Sequence, residues 1–158
     1  SDSKELADKS LNHNFVKQIG DATLSSDTFR IYIVQDAYFL QAFAKAYAYA
    51  LVRSPDNEGI IEFHKLIGSV LDELKMHKNY SAAWGIDLDE ALKKIGALSG
   101  TKAYISFLDK VSSSSESNPA TILSAMAPCM RLYSYLGNQL NLSYPKLDDG
   151  KPDTPFDE

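Results

Sequence analysis

The run SSDTFRIYIVQDAYFLQAFAKAYAYALVRSP, from Ser25 to Pro55, decides the fold class. Its apolar residues recur at helical spacing, through Phe29, Tyr32, Ile33, Leu40, Phe43, Tyr47, Ala50 and Leu51, and Asp36 falls within the same stripe. Ser25 or Ser26 is placed to cap this helix, Asp27 suits the positive end of its dipole, and Ser54-Pro55 stops it. Outward from this helix, the pattern predicts a first helix over residues 2–19 followed by a turn from Gly20 to Leu24. Further helices are predicted over residues 57–83, 88–95 and 101–111, and from Pro119 to about residue 142. Ser112 to Asn118 reads as a polar loop, and no segment sustains the alternation of a strand. The chain is therefore expected to be all-α. It reads as one helical domain over residues 1–142, with an irregular tail over residues 143–158 that carries Pro145, Pro152 and Pro155.

A chain of 158 residues suits one domain of ordinary size. With 44% hydrophobic and 23% charged residues it has the composition of a soluble globular protein. A net charge of −5 offers no basic footprint for nucleic acid or an anionic membrane surface. The single cysteine forms no internal disulfide and no cysteine cluster for zinc, which suits a reducing compartment. The start, Ser1-Asp2-Ser3-Lys4-Glu5-Leu6, lacks the basic and apolar blocks of a signal peptide. The apolar run over residues 42–52 is too short for a bilayer span and carries Lys45. A cytoplasmic protein is expected, with a transit peptide removed upstream of Ser1 left open.

Two positions carry chemistry. An ionised Asp36 on an apolar stripe needs a structural partner or a ligand, because uncompensated burial of a carboxylate costs several kcal/mol. Cys129 lies on the stripe Ile122, Met126, Cys129, Tyr133, Leu136, Leu140, and a lone inward cysteine is ordinarily an inert small hydrophobe. Pro128 has no N–H for Ser124, so a bend and a free carbonyl are expected beside the thiol. Tyr133, one turn on, is placed to bring a phenol near the sulfur. Tyr104 belongs to an aromatic stripe with Phe107, Leu108 and Val111, which is core more often than catalytic, and Gln35 is expected to point outward. His13, His64 and His77 show no zinc spacing, and Glu73 with His77 reads as a surface pair, so no metal site is expected.

These residues carry a resemblance. His13-Asn14-Phe15, the Gly20-to-Leu24 turn with Phe29, Tyr32-x-x-Gln35-Asp36-x-Tyr38-Phe39-Leu40-x-x-Phe43-Ala44, Glu73-x-x-x-His77 and Pro128-Cys129-x-x-x-Tyr133-x-x-x-Gly137 stand in one order over residues 11–140. In these segments the chain resembles the thiaminase II family, the TenA-like aminopyrimidine aminohydrolases, and its eukaryotic members in particular. The resemblance implies an all-α, haem-oxygenase-like helical bundle without haem or other cofactor, assembled as a homo-oligomer, in most members a homotetramer. It implies hydrolysis of a thiamine-derived aminopyrimidine, 4-amino-5-aminomethyl-2-methylpyrimidine or thiamine itself, to the hydroxymethylpyrimidine for thiamine salvage.

By the same resemblance Cys129 is the nucleophile that adds to the pyrimidine ring, and Asp36 binds the ring's amidine-like nitrogens. Phe39 then lines the pocket, and Tyr104 and Tyr133 are the phenols near thiol and substrate. Family members run on for two or three further helices, one of which carries a catalytic glutamate; Pro155-Phe156-Asp157-Glu158 resembles the entry into the first of them. A fragment or a truncated relative is therefore expected, in some plant relatives with a phosphatase-like domain following. The alternative reading is a catalytically impaired relative that binds pyrimidines or other helices.

Overall fold

The computed structural model describes residues 2–83 and 85–144. Among them there are seven helices and no strand: α1 (Asp2–Leu11), α2 (Asn14–Gly20), α3 (Ser26–Val52), α4 (Asn57–Ala83), α5 (Leu88–Ile95), α6 (Ser99–Ser113) and α7 (Pro119–Ser143). The all-α expectation holds, and α4 and α5 have the bounds that the pattern gives. Of the tail expected over residues 143–158, Ser143 instead closes α7, and residues 145–158 lie outside the described residues.

The expected first helix is two. His13 interrupts it, with an extended backbone and a ring nitrogen, Nδ1, that accepts from the Phe15 N–H at 3.2 Å. A side-chain acceptor at that position satisfies a donor that a continuing helix would bond internally, so a new helix starts at Asn14. Asn12 closes α1 from the other side by donating its side-chain amide to the Asp8 carbonyl at 2.9 Å.

The chain gathers into two compact units. One is Ser26–Ala127; in the other, residues 2–25 and 128–144 are described. Within Ser26–Ala127, α3 packs against α4, α6 and α5. Its buried face is Ile33, Val34, Ala37, Leu40, Phe43, Ala46, Tyr47 and Ala50. The recurring alanines let neighbouring helices approach closely, and burial holds the Tyr47 hydroxyl above the usual phenol range. Ile33, Val34 and Ala37 form one cluster with Ile86, Leu88 and Ala91, so the turn before α5 and its first residues are anchored on α3. The helix α5 is well marked by its own sequence. Asp87 accepts from the Glu90 N–H at 3.0 Å, Lys93 and Lys94 sit in the last turn, and Gly96 leaves the helix at φ 67. Arg53 ties the end of α3 to the end of α6 by donating to the Ser112 carbonyl, one of the acceptors a helix terminus leaves open.

In the other unit, Tyr135 donates to Asp8 at 2.9 Å and Lys4 pairs with the same carboxylate at 2.7 Å. The Lys4 and Tyr135 hydrogen bonds hold the Asp8 carboxyl below its usual range, and the bond to Asp8 pushes the Tyr135 phenol up.

On α6, Leu108 is 1% exposed, whereas its neighbour Phe107 is 48% exposed. Leu108→Ala is expected to lower unfolding free energy by about 2–5 kcal/mol through the cavity it leaves. Phe107→Ala is expected to cost clearly less, and chemical denaturation of the two variants side by side checks both.

Candidate active site

Asp36 sits on α3 between the buried positions Ile33 and Leu40, and its side chain is only 12% exposed. The partner that its burial demands comes from α4. His77 places Nδ1 3.4 Å from an Asp36 oxygen, and its other nitrogen, Nε2, 4.0 Å from Glu73. His77 is buried, 9% exposed, while the Glu73 side chain is 48% exposed. The expected surface pair is therefore corrected: Glu73 is at the surface, but His77 lies inside, between two carboxylates. An i, i+4 spacing cannot distinguish a pair on the exposed face from one that straddles the boundary with the core. What decides here is that the ring meets an acid on another helix.

Asp36, Glu73 and His77 each offer a ligand atom within 4.8 Å of the others. One nitrogen of His77 with one oxygen from each acid could therefore hold a metal ion. The arrangement is a carboxylate–imidazole–carboxylate chain running from solvent to the buried face of α3. Although it is close to Asp36, His77 Nδ1 lacks the alignment of a hydrogen bond; among the described residues it and Ser81 Oγ, one turn on along α4, are buried side-chain polar atoms without such a bond.

The residues beside Asp36 fix its helix. Gln35 corrects the outward placement given to it: its side-chain nitrogen donates to the Gly96 carbonyl at 3.0 Å and its oxygen accepts from the Leu98 N–H at 2.8 Å. Both bonds clasp the link between α5 and α6. Tyr38 donates to the Leu92 carbonyl at 2.9 Å, adding a second tie to the end of α5. Sequence reasoning missed His77 and Gln35 as members of this neighbourhood, and the available signal for both was their place in the motif segments rather than any spacing rule.

Phe39, three residues after Asp36, stacks on Tyr104 of α6 with ring centroids 4.8 Å apart and planes inclined by 15°. Both rings are half-buried. Phe39 also stacks on Phe43 at 5.0 Å, so the pair continues an aromatic row along α3. The Tyr104 hydroxyl donates to the Ala125 carbonyl at 3.0 Å, which aims the ring and ties α6 to the first part of α7. A cavity of about 410 Å³ opens along α3 and α6, with Tyr38, Lys45, Tyr49 and Asp109 in its wall; Asp36, Phe39 and Tyr104 are not part of that wall.

Cys129 and Tyr133 belong to the other unit. α7 includes Pro128 within its span, and the boundary between the units falls at this proline. Cys129 is half-buried rather than fully inside, and Tyr133 is 51% exposed, so the stripe read along α7 is a buried core at Ile122 and Met126 and opens beyond them. The proline explains part of this difference, since a residue without an N–H relaxes the register that carries one face straight along a helix.

The helical fold and these elements define the class, and the comparisons agree. Residues 1–150 match the model of the TENA/THI-4/PQQC family. The chain belongs to that family. It is 33% identical over 141 residues to the Bifunctional TH2 protein, mitochondrial, of Arabidopsis thaliana, covering 79% of this chain and 22% of that protein. It is 30% identical over 146 residues to the Aminopyrimidine aminohydrolase of Halalkalibacterium halodurans, covering 92% of this chain and 62% of that protein. The chain thus spans less than two thirds of either relative. Among solved structures, the TenA homologue of P. horikoshii OT3 superposes with a TM-score of 0.79 at 21% identity, covering 92% of this chain and 68% of that one. This likeness is one of fold. No helix among the described residues is long and apolar enough to cross a membrane.

Replacing Gln35 by Leu removes both partners of the α5–α6 link while keeping side-chain bulk. Its expected cost is about 1–3 kcal/mol in urea unfolding; a change below about 0.5 kcal/mol would mean that water serves the two backbone groups as well as the amide does.

Proposed function

We propose that the protein hydrolyses 4-amino-5-aminomethyl-2-methylpyrimidine to the hydroxymethylpyrimidine and ammonia, in the salvage of thiamine fragments. The observation that carries this reading is the Asp36 carboxylate, only 12% exposed, one turn from the stacked Phe39–Tyr104 pair. A planar, electron-poor aminopyrimidine asks for this combination. An aromatic pair supplies a flat apolar wall, and a carboxylate accepts from the exocyclic amino group and an adjacent protonated ring nitrogen. Support also comes from relatives named aminopyrimidine aminohydrolases in Halalkalibacterium halodurans and Bacillus subtilis.

In this reading Cys129 is the nucleophile. Its thiolate adds to an electron-poor ring carbon and forms a C–S bond, and the electron pair moves through the ring to break the methylene C–N bond, so that protonated amine leaves as ammonia. Water then adds to the exocyclic methylene and loses a proton, and the returning electron pair expels the thiolate and restores the aromatic ring. The sum is one water consumed and one ammonia released, with nothing oxidised or reduced. Tyr133, one turn from Cys129, is assigned to orient the thiol or the substrate. A cytoplasmic homo-oligomer completes the proposal; the mitochondrial TH2 relative supplies the competing location, and light scattering with cell fractionation separates these cases.

The test is ammonia release from the aminomethylpyrimidine by the full-length native protein. Cys129→Ala is expected to reduce release by about a thousandfold or more, the scale of losing a covalent nucleophile. Asp36→Asn is expected to lower kcat/KM by about ten- to a hundredfold, the scale of a hydrogen bond to a charged group. Undiminished release by Cys129→Ala would overturn the assignment of the nucleophile. No release by the native protein, with the pyrimidine still bound in calorimetry, would replace the enzyme by a pyrimidine-binding relative.

A further inference from the structure

The chain Glu73–His77–Asp36 ends on the residue assigned to grip the ring, and its middle member, His77, carries a buried nitrogen, Nδ1, without an aligned hydrogen-bond partner. We infer that His77 is a positioning residue: it sets the rotation of the Asp36 carboxylate so that both oxygens meet the amidine edge of an aminopyrimidine, and ligand binding brings its Nδ1 contact into line. The inference rests on the reading of Asp36 as the ring anchor.

The physical argument starts from the side chain. The terminal torsion of aspartate is broad, so a carboxylate without a fixed neighbour spreads over many orientations. Bidentate recognition needs one orientation, with both oxygens in the plane of the ring edge. A carboxylate has about four acceptor sites, two of which go to the ligand, leaving others for a positioning donor. His77 approaches from α4 at 3.4 Å, and Glu73 stands 4.0 Å from the ring's other nitrogen. The inner contact is longer and less aligned than a hydrogen bond, which is how such contacts often stand before a ligand closes them. A shift of a few tenths of an ångström in Asp36 would close it, and the buried nitrogen would then gain the partner it lacks.

The two amide side chains divide the ring's two contacts between them. The asparagine amide reaches about as far as Nδ1, and the glutamine amide about as far as Nε2. His77→Asn therefore keeps a donor for Asp36, whereas His77→Gln offers one to Glu73. A role confined to filling space would favour neither in this order.

The experiment is calorimetric titration of 4-amino-5-hydroxymethyl-2-methylpyrimidine into the native protein and into Asp36→Asn, His77→Leu, His77→Asn and His77→Gln, each first checked for a cooperative thermal transition. His77→Leu is expected to weaken binding by about ten- to a hundredfold, His77→Asn to recover it to within about threefold of the native protein, and His77→Gln to remain weak. In proton NMR of the native protein, a downfield imidazole N–H resonance is expected to sharpen on addition of the pyrimidine and to be missing in His77→Asn. Native affinity in His77→Leu, or equal recovery by Asn and Gln, would overturn the positioning role. Should His77→Leu fail to fold, the contrast between Asn and Gln decides alone. Native affinity in Asp36→Asn would instead remove the anchor reading itself, while weak binding by Asp36→Asn beside native binding by His77→Leu would defeat only the present inference.

Discussion

An acid on the buried face of α3 is the constraint around which Ser26–Ala127 is arranged. Hydrophobic burial alone would fill position 36 with leucine or alanine, as it does at Leu40 and Ala37. A carboxylate there needs a polar partner from a neighbouring helix, and His77 of α4 supplies it at 3.4 Å. That pairing couples the register of α4 to that of α3, since a shift by one residue on either helix would swing His77 or Asp36 away from the other. Gln35 and Tyr38 extend the same logic to α5 and the link to α6, using hydrogen bonds to backbone groups that helix ends leave open. The result is a helix held on both sides of Asp36.

A polar pair at a core-facing position is weak evidence for stability. Replacing such a pair, where it is charged, by well-packed apolar groups is often neutral or stabilising. Here the contact from His77 lacks the alignment of a hydrogen bond, and Phe39, three residues after Asp36, stacks on Tyr104 of α6. The chain belongs to the TENA/THI-4/PQQC family, and its relatives include a protein named Aminopyrimidine aminohydrolase.

How much of this was legible in the chain depends on the kind of signal. Helix number and bounds were readable wherever capping and periodicity agreed, as at Asp87 with Lys93 and Lys94, or at Ser54-Pro55. They failed at His13, because a histidine acting as an N-cap acceptor has no composition signature, and the apolar pattern runs on across it. Asp36 stood out because it broke a stripe. His77 did not, because a histidine on an amphipathic helix is equally at home on either face, and the acid that draws it inward is 41 residues away in the chain. Gln35 was hidden for the same reason: its partners are the backbone of Gly96 and Leu98, which no residue type announces. The stripe on α7 misled in the opposite direction, since strict spacing carried Tyr133 inward where the residue is half exposed. Local rules read single elements well, and they lose the contacts that one element imposes on another.

The measurement that bears most directly on the central claim is a crystal structure of the protein with 4-amino-5-hydroxymethyl-2-methylpyrimidine bound. The account predicts the ring against the Phe39–Tyr104 pair, with its amino group and neighbouring nitrogen at hydrogen-bond distance from the Asp36 carboxylate. A ring seated elsewhere, with Asp36 unchanged beside His77, would contradict it and make the buried acid a structural element alone.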